Sequence, residues 1–207
     1  MSFDIDIARR VGEAEVAVRI APEPGPGLTI LFGPSGVGKT SVLNMIAGLL
    51  PPARGRIAVG GEVLFDADAG VDIPVAQRRA GYVFQEPRLF PHLRVRANLD
   101  YGAGRGASGV GFDQAVDFLG IGHLLGRWPR SLSGGEARRV AIGRALLSGP
   151  SFLLLDEPLA SLDRARREEI MRAIEHIRDG LKLPILMVTH DAEEAERLGT
   201  QVIRMAR

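Results

Sequence analysis

The stretch Gly33-Pro34-Ser35-Gly36-Val37-Gly38-Lys39-Thr40-Ser41 has the spacing G-x-x-x-x-G-K-[ST]. Its glycines let the backbone curl so that successive N–H groups point inward, and a helix starting there adds partial positive charge. Both features suit phosphate oxygens. The ammonium of Lys39 would reach the outer phosphates of a nucleotide, and the Thr40 hydroxyl would ligate Mg²⁺.

Phosphoryl transfer also needs a carboxylate on a neighbouring strand to hold the metal. Asp156, after the apolar run Phe152-Leu153-Leu154-Leu155, has that setting, and Glu157 beside it can orient a water and accept its proton. Leu132-Ser133-Gly134-Gly135-Glu136 opens a further helical pattern and forms a second anion site of the same kind. Two phosphate sites for one set of phosphates are reconciled if two chains pack head to tail, each loop facing the partner's serine-glycine helix.

These residues require strands that end in one place. Leu28–Phe32 predicts a buried strand before the phosphate loop, and residues 42–47 predict a helix ended by Gly48. Residues 3–7 and 15–20 alternate and predict an edge hairpin. Pro22–Gly27 is a turn, and Arg56–Val59 with Glu62–Phe65 predict a second antiparallel pair around Gly60-Gly61. Arg79–Gln85 is expected as a strand ending in a polar residue. Phe152–Leu155, Pro184–Thr189 and 201–205 predict further strands, with a long helix following Asp156-Glu157-Pro158, its Ile170, Ile174, Ile177 and Leu181 at helical spacing, and another helix over 192–198. Between about 86 and 148 helical patterns near 93–101 and 112–120 predict an inserted helical subdomain, with Gly104–Gly111 as a surface loop. The alternation predicts an α/β fold with a largely parallel sheet, whose ligands collect at the carboxyl ends of the strands. Phe32, Gln85, Asp156 and Thr189-His190 are placed there.

The chain has 207 residues, 45% hydrophobic and 25% charged, in the range of an ordinary globular protein. A net charge of +1 gives no overall attraction to nucleic acid or acidic lipid, and no nucleic-acid partner is expected. With no cysteine there is no disulfide, thiol nucleophile or Cys-ligated zinc, and the four histidines are scattered. No apolar run approaches the ~18 residues of a membrane span. Lys39 and Lys182 are the only lysines, against abundant arginine.

The phosphate loop, Gln85, Leu132–Glu136, Asp156-Glu157, Ser161-Leu162-Asp163 and His190 resemble, in this order, the motifs of the ATP-binding-cassette ATPases. The resemblance spans nearly the whole chain. It implies a RecA-like P-loop core with a parallel sheet, an antiparallel β subdomain and an inserted helical subdomain, in one nucleotide-binding domain over 1–207. It implies ATP and Mg²⁺, with the metal on Thr40, Gln85 and Asp156, and catalysis by Glu157, Gln85 and His190. Ser133 and Gly135 would grip the γ-phosphate held by a partner chain, in a homodimer formed on ATP binding. It also implies transmembrane permease subunits, a periplasmic solute-binding protein engaged indirectly, and a peripheral place on the cytoplasmic side of the membrane. A narrower similarity, carried by Gly81–His92, Gly38–Ser41, Ser133–Glu136 and Ile142–Leu147, is to molybdate importer ATPases.

Three departures stand out. Where the family usually carries an adenine-stacking aromatic, this chain reads Arg9-Arg10-Val11-Gly12, and an arginine plane could stack instead. Glu136 stands where glutamine is commoner. Molybdate-type relatives carry a C-terminal regulatory domain, whereas this sequence ends at Arg207, so no such domain is expected in it. Phe90, Pro91 and Leu93 either pack inside the helical subdomain or line a groove for a permease helix. Alternatives to transport are a cassette ATPase acting on DNA or the ribosome, and a catalytically silent ATP-binding subunit.

Overall fold

The computed structural model describes residues 2–25, 27–103 and 110–206. Among these residues ten strands form two sheets. β1 (Phe3–Val11), β2 (Ala14–Ile20), β4 (Arg54–Val59), β5 (Glu62–Asp66) and β6 (Val71–Asp72) make an antiparallel sheet of order β2-β1-β4-β5-β6. β3 (Leu28–Phe32), β7 (Ala80–Val83), β8 (Phe152–Asp156), β9 (Ile185–Thr189) and β10 (Gln201–Arg204) make a wholly parallel sheet of order β10-β3-β9-β8-β7. Among the described residues six α-helices join them: α1 (Lys39–Ala47), α2 (Val95–Asp100), α3 (Phe112–Phe118), α4 (Gly134–Leu147), α5 (Arg164–Gly180) and α6 (Ala192–Leu198).

The parallel sheet is the wall between two apolar clusters, and the two-residue period of its strands divides them. Leu28, Ile30, Leu153, Leu155, Ile185 and Met187 face one cluster, built with α4, α5, α6 and the inserted helices. Leu31, Phe152, Leu154, Leu186 and Val188 face the other, shared with α1 and the inner face of the antiparallel sheet. Covered on both faces, β8 and β9 read as unbroken apolar runs. Phe3 meets Phe152 edge-on at 5.9 Å where the sheets face each other.

α1 is held at its C-terminus by a side chain that sequence reading passed over. Arg78, 2% exposed, donates to the carbonyls of Met45 (3.0 Å), Ile46 (2.9 Å) and Ile73 (2.8 Å) and to the Asp72 carboxylate (2.7 Å). A cation on the last carbonyls complements the helix dipole. The edge hairpin, the Gly60-Gly61 pair and the strand and helix flanking the phosphate loop all form as expected. The predicted strand 79–85 is shorter: β7 stops at Val83, and Phe84 leaves the ladder to stack on Tyr82 at 4.0 Å beneath the Arg88 guanidinium. Gln85 therefore lies in a loop beyond the strand end. Residues 104–109 of the expected glycine-rich surface loop lie outside the described residues. Among the described residues no helix is long and apolar enough to cross a membrane.

Candidate active site

The phosphate loop leaves the carboxyl end of β3. Gly36 and Gly38 take φ values of 79° and 101°, in the left-handed region that favours glycine. A Cβ on Gly33 would lie 2.6 Å from the Met205 carbonyl oxygen, and one on Gly38 would meet Val16 at 2.6 Å. The loop thus packs between β2 and the residue after β10. No side chain caps the start of α1 and no acid lies in its first turn, which leaves the helix end open to an anion. Pro34, Ser35 and Gly36 are exposed on the rim, Val37 is buried and Ser41 is half-buried in the first turn.

Lys39 is 5% exposed. Its Nζ donates to the carbonyls of Gly33 (2.8 Å) and Pro34 (2.9 Å) and lies 3.7 Å from Glu157 Oε1. Glu157 follows β8 with φ 44°, a left-handed conformation uncommon for a residue with a side chain. Its N–H bonds the Val188 carbonyl, which anchors the turn to β9. The same Oε1 lies 3.3 Å from Nδ1 of His190, the first residue past β9. Three adjacent strands thus deliver an ammonium, a carboxylate and an imidazole to one point.

Thr40 Oγ1 donates to Asp156 Oδ1 at 3.0 Å. Burial pushes the Asp156 carboxyl above its ordinary pKa, with the Thr40 bond pulling the other way. A hydroxyl and a buried carboxylate converging beside an anion cradle are the hard oxygen donors that Mg²⁺ takes, so the donor set fits the metal. The Gln85 side chain is exposed, and no hydrogen bond joins it to Thr40 or Asp156 among the described residues.

His190 is flanked by a hydrogen-bonded network whose members Asp191, Glu194 and Arg167 sequence reading missed. Thr189 Oγ1 donates to the buried Glu194 Oε2 at 2.5 Å and accepts from the Asp191 N–H. Asp191 caps α6 and receives Arg167 Nη1 at 2.8 Å. The available signal was an aspartate directly before an acidic helical turn, an N-cap pattern.

Ser133 caps α4 in a reciprocal box: its Oγ accepts from the Glu136 N–H, and Glu136 Oε2 accepts from the Ser133 N–H at 2.7 Å. The Ser133 N–H is the foremost cause holding the Glu136 carboxyl below its ordinary pKa, and Arg127 adds to it at 3.2 Å. The unusual glutamate thus has a local use. Gly134 is exposed, Leu132 packs on the main cluster, and a Cβ on Gly135 would press on Arg166 at 3.2 Å. Ser161 turns with φ 61°, Leu162 is half-buried close to Gly134, and Asp163 caps α5. Leu132–Glu136 and Ser161–Asp163 therefore adjoin each other. Among the described residues no hydrogen bond or ion pair joins either stretch to Lys39, Thr40 or Glu157. In the region without an aromatic, Arg9 Nη1 is turned to the Pro51 carbonyl at 2.5 Å, and Arg10 is exposed.

A profile of the family described as "ABC transporter" matches residues 24–160. This chain belongs to the ABC transporter family. It is 52% identical over 209 residues to a "Molybdenum import ATP-binding protein ModC" of Mesorhizobium japonicum, an alignment covering 100% of this chain and 56% of that protein. A protein of the same description from Rhizobium meliloti is 49% identical over 99% of this chain and 58% of its own. The ABC chain therefore spans little more than half the length of these curated relatives. Among solved structures it is similar to cbiO1 of Clostridium perfringens, part of the ABC transporter complex cbiONQ. That match has a TM-score of 0.80 and 25% identity over 98% of this chain and 84% of the other. It is also similar to the dimeric ABC transporter cassette MJ0796, with a TM-score of 0.73 and 29% identity over 98% and 92% of the two chains. The architecture expected from the sequence, a P-loop core with an antiparallel β sheet and inserted helices, is the ABC cassette fold.

Proposed function

We propose that this chain is the ATP-binding and ATP-hydrolysing part of an ABC importer, taking up molybdate or a similar oxyanion. The observation that carries the reading is the meeting of Lys39, Glu157 and His190 at the ends of β3, β8 and β9, beside the Thr40–Asp156 pair. In it the open start of α1 and Lys39 hold the phosphates. Glu157 takes a proton from a water attacking the γ-phosphorus as the bond to the leaving ADP oxygen breaks. His190 fixes the γ-phosphate from the other side. Thr40, Gln85 and Asp156 would hold Mg²⁺, which would supply positive charge to offset that of the phosphates.

Ser133 and Gly135, too far from their own Lys39 in the geometry of the family, act on a partner's nucleotide in a head-to-tail homodimer closed by ATP. The similarity to a cassette solved as a dimer supports this arrangement. The permease docks beside the Gln85 loop. There Leu89 packs on the main cluster, while half-buried Phe90 lies 4.3 Å from the ring of Tyr101, itself 55% exposed. The Phe90–Tyr101 ring pair is where a permease helix would meet the chain, which puts it on the cytoplasmic face of the membrane. The relatives' description as molybdenum import proteins supports the choice of solute.

The test is uptake of radiolabelled molybdate by cells lacking the gene. The parental gene restores uptake and Glu157→Gln does not; uptake that is unchanged by the deletion, or restored by Glu157→Gln, rejects the reading.

A further inference from the structure

Arg138 lies in the second turn of α4 and is 6% exposed. Its guanidinium leaves the helix and reaches the carboxyl end of the parallel sheet. Nη1 donates to the Gln85 carbonyl at 2.6 Å and stands 3.4 Å from the Phe84 carbonyl and 3.5 Å from that of Glu157. Its Nε is buried with no acceptor among the described residues, and no carboxylate pairs with it. Burial drives its pKa down, and the Asp156 charge offsets this only in part.

As a packing device this is a poor choice. A buried cation with one strong hydrogen bond and an unmatched N–H costs stability, and an apolar side chain of similar volume commonly does better. What the guanidinium supplies instead is geometric. It bridges two segments with no ladder bond between them, the loop after β7 and the turn after β8. One of these carries Gln85. The other carries Glu157, whose left-handed backbone holds its carboxylate between Lys39 and His190. The side chain that spans them belongs to the helix that begins with Ser133–Glu136 and packs on α2 and α3.

We infer that Arg138 is a positioning residue: it sets the backbone of Gln85 and Glu157 from the signature helix, so that the Glu157 carboxylate reaches its working place only when α4 is seated against the sheet. A shift of α4, imposed by a partner chain or by a protein docked near Gln85, is thereby felt at the reacting water. The inference rests on the reading of Glu157 as the base.

The test is a single-turnover cycle with the full chain, using radiolabelled ATP and the variants Arg138→Met, Glu157→Gln and the double variant. Misplacing a reacting group by about 1 Å can cost ~10²-fold, so Arg138→Met is expected to lower the rate about 10–100-fold. The ATP concentration for half-maximal rate should stay within about twofold, because the phosphate-binding groups are untouched. If Arg138 acts through Glu157, adding Arg138→Met to Glu157→Gln costs less than about twofold further; a merely structural loss multiplies in full on both backgrounds. Circular dichroism checks folding. Should Arg138→Met not fold, Arg138→Gln, which keeps a donor for the Gln85 carbonyl but loses the reach to Glu157, takes its place in the same cycle. A rate within twofold of the parent, or a fully multiplicative loss, overturns the inference while leaving Glu157 as the base. A Glu157→Gln protein with parental turnover overturns both.

Discussion

Lys39 Nζ and Glu157 Oε1 stand 3.7 Å apart, with the lysine folded back onto the carbonyls of its own loop. The ammonium proposed to meet phosphate is thus held beside the proposed base. An incoming triphosphate competes with Glu157 for that charge and is itself repelled by the carboxylate.

Removing the charge of Glu157 while keeping its shape separates binding from chemistry. Glu157→Gln is expected to bind ATP at least as tightly as the parent, because Lys39 is released and the repulsion is gone. Turnover should fall by ~10²–10⁴, the usual contribution of a positioned base. Equilibrium binding of a fluorescent ATP analogue and phosphate release read the two effects. Weaker binding, or turnover within a few-fold of the parent, contradicts the assignment.

Glu194 governs a pH effect beneath His190. Burial raises its carboxyl above the ordinary value, Asp191 adds to that, and the Thr189 bond, Arg167 and His190 oppose it. The folded protein therefore holds this proton more tightly than the unfolded chain does. The resulting stabilisation is full below the unfolded pKa and is lost as pH rises through the folded one. At pH 8 the ionised group is a cost that glutamine, still able to accept from Thr189, does not carry. Glu194→Gln should melt above the parent at pH 8, by about 2–4 °C per kcal/mol regained. The advantage should shrink toward pH 4.5. Melting curves across this range decide it; a variant that melts lower at pH 8 refutes the sign.

Assembly is tested at Ser133, which caps α4 and makes no hydrogen bond to Lys39 among the described residues. The Glu157→Gln protein, which binds ATP without consuming it, should sediment as a monomer alone and as a dimer with ATP and magnesium. Adding Ser133→Arg should abolish the dimer and leave monomer ATP affinity within about twofold, since no group on the phosphate loop changes. Ser133→Ala removes the helix cap, worth ~1 kcal/mol, without adding bulk, and separates loss of stability from loss of the interface. A dimer that forms without nucleotide, or survives Ser133→Arg, excludes the shared site.

Local chemistry made much of this protein legible in its sequence. The spacing of glycines, Lys39 and Thr40 requires a strand before it and a helix after it, and β3 and α1 lie where that demand puts them. The apolar runs of β8 and β9 mark strands covered on both faces; β8 ends at Asp156, and β9 stops one residue before His190. Such features depend on near neighbours, so period and residue type suffice to read them.

The tertiary structure decided what depends on long-range partners. β7 ends at Val83 because the next carbonyls turn to Arg138, more than fifty residues away. Leu89 and Phe90 are both half-buried, but Leu89 packs on the main cluster while Phe90 packs on Tyr101, a division that no period in residues 86–93 encodes. Arg78 and Arg138 read as two among many surface arginines until folding buries them against carbonyls of other segments. The meeting of Lys39, Glu157 and His190 comes from strand order β3-β9-β8, which pairing energetics of the whole sheet select and no local stretch specifies.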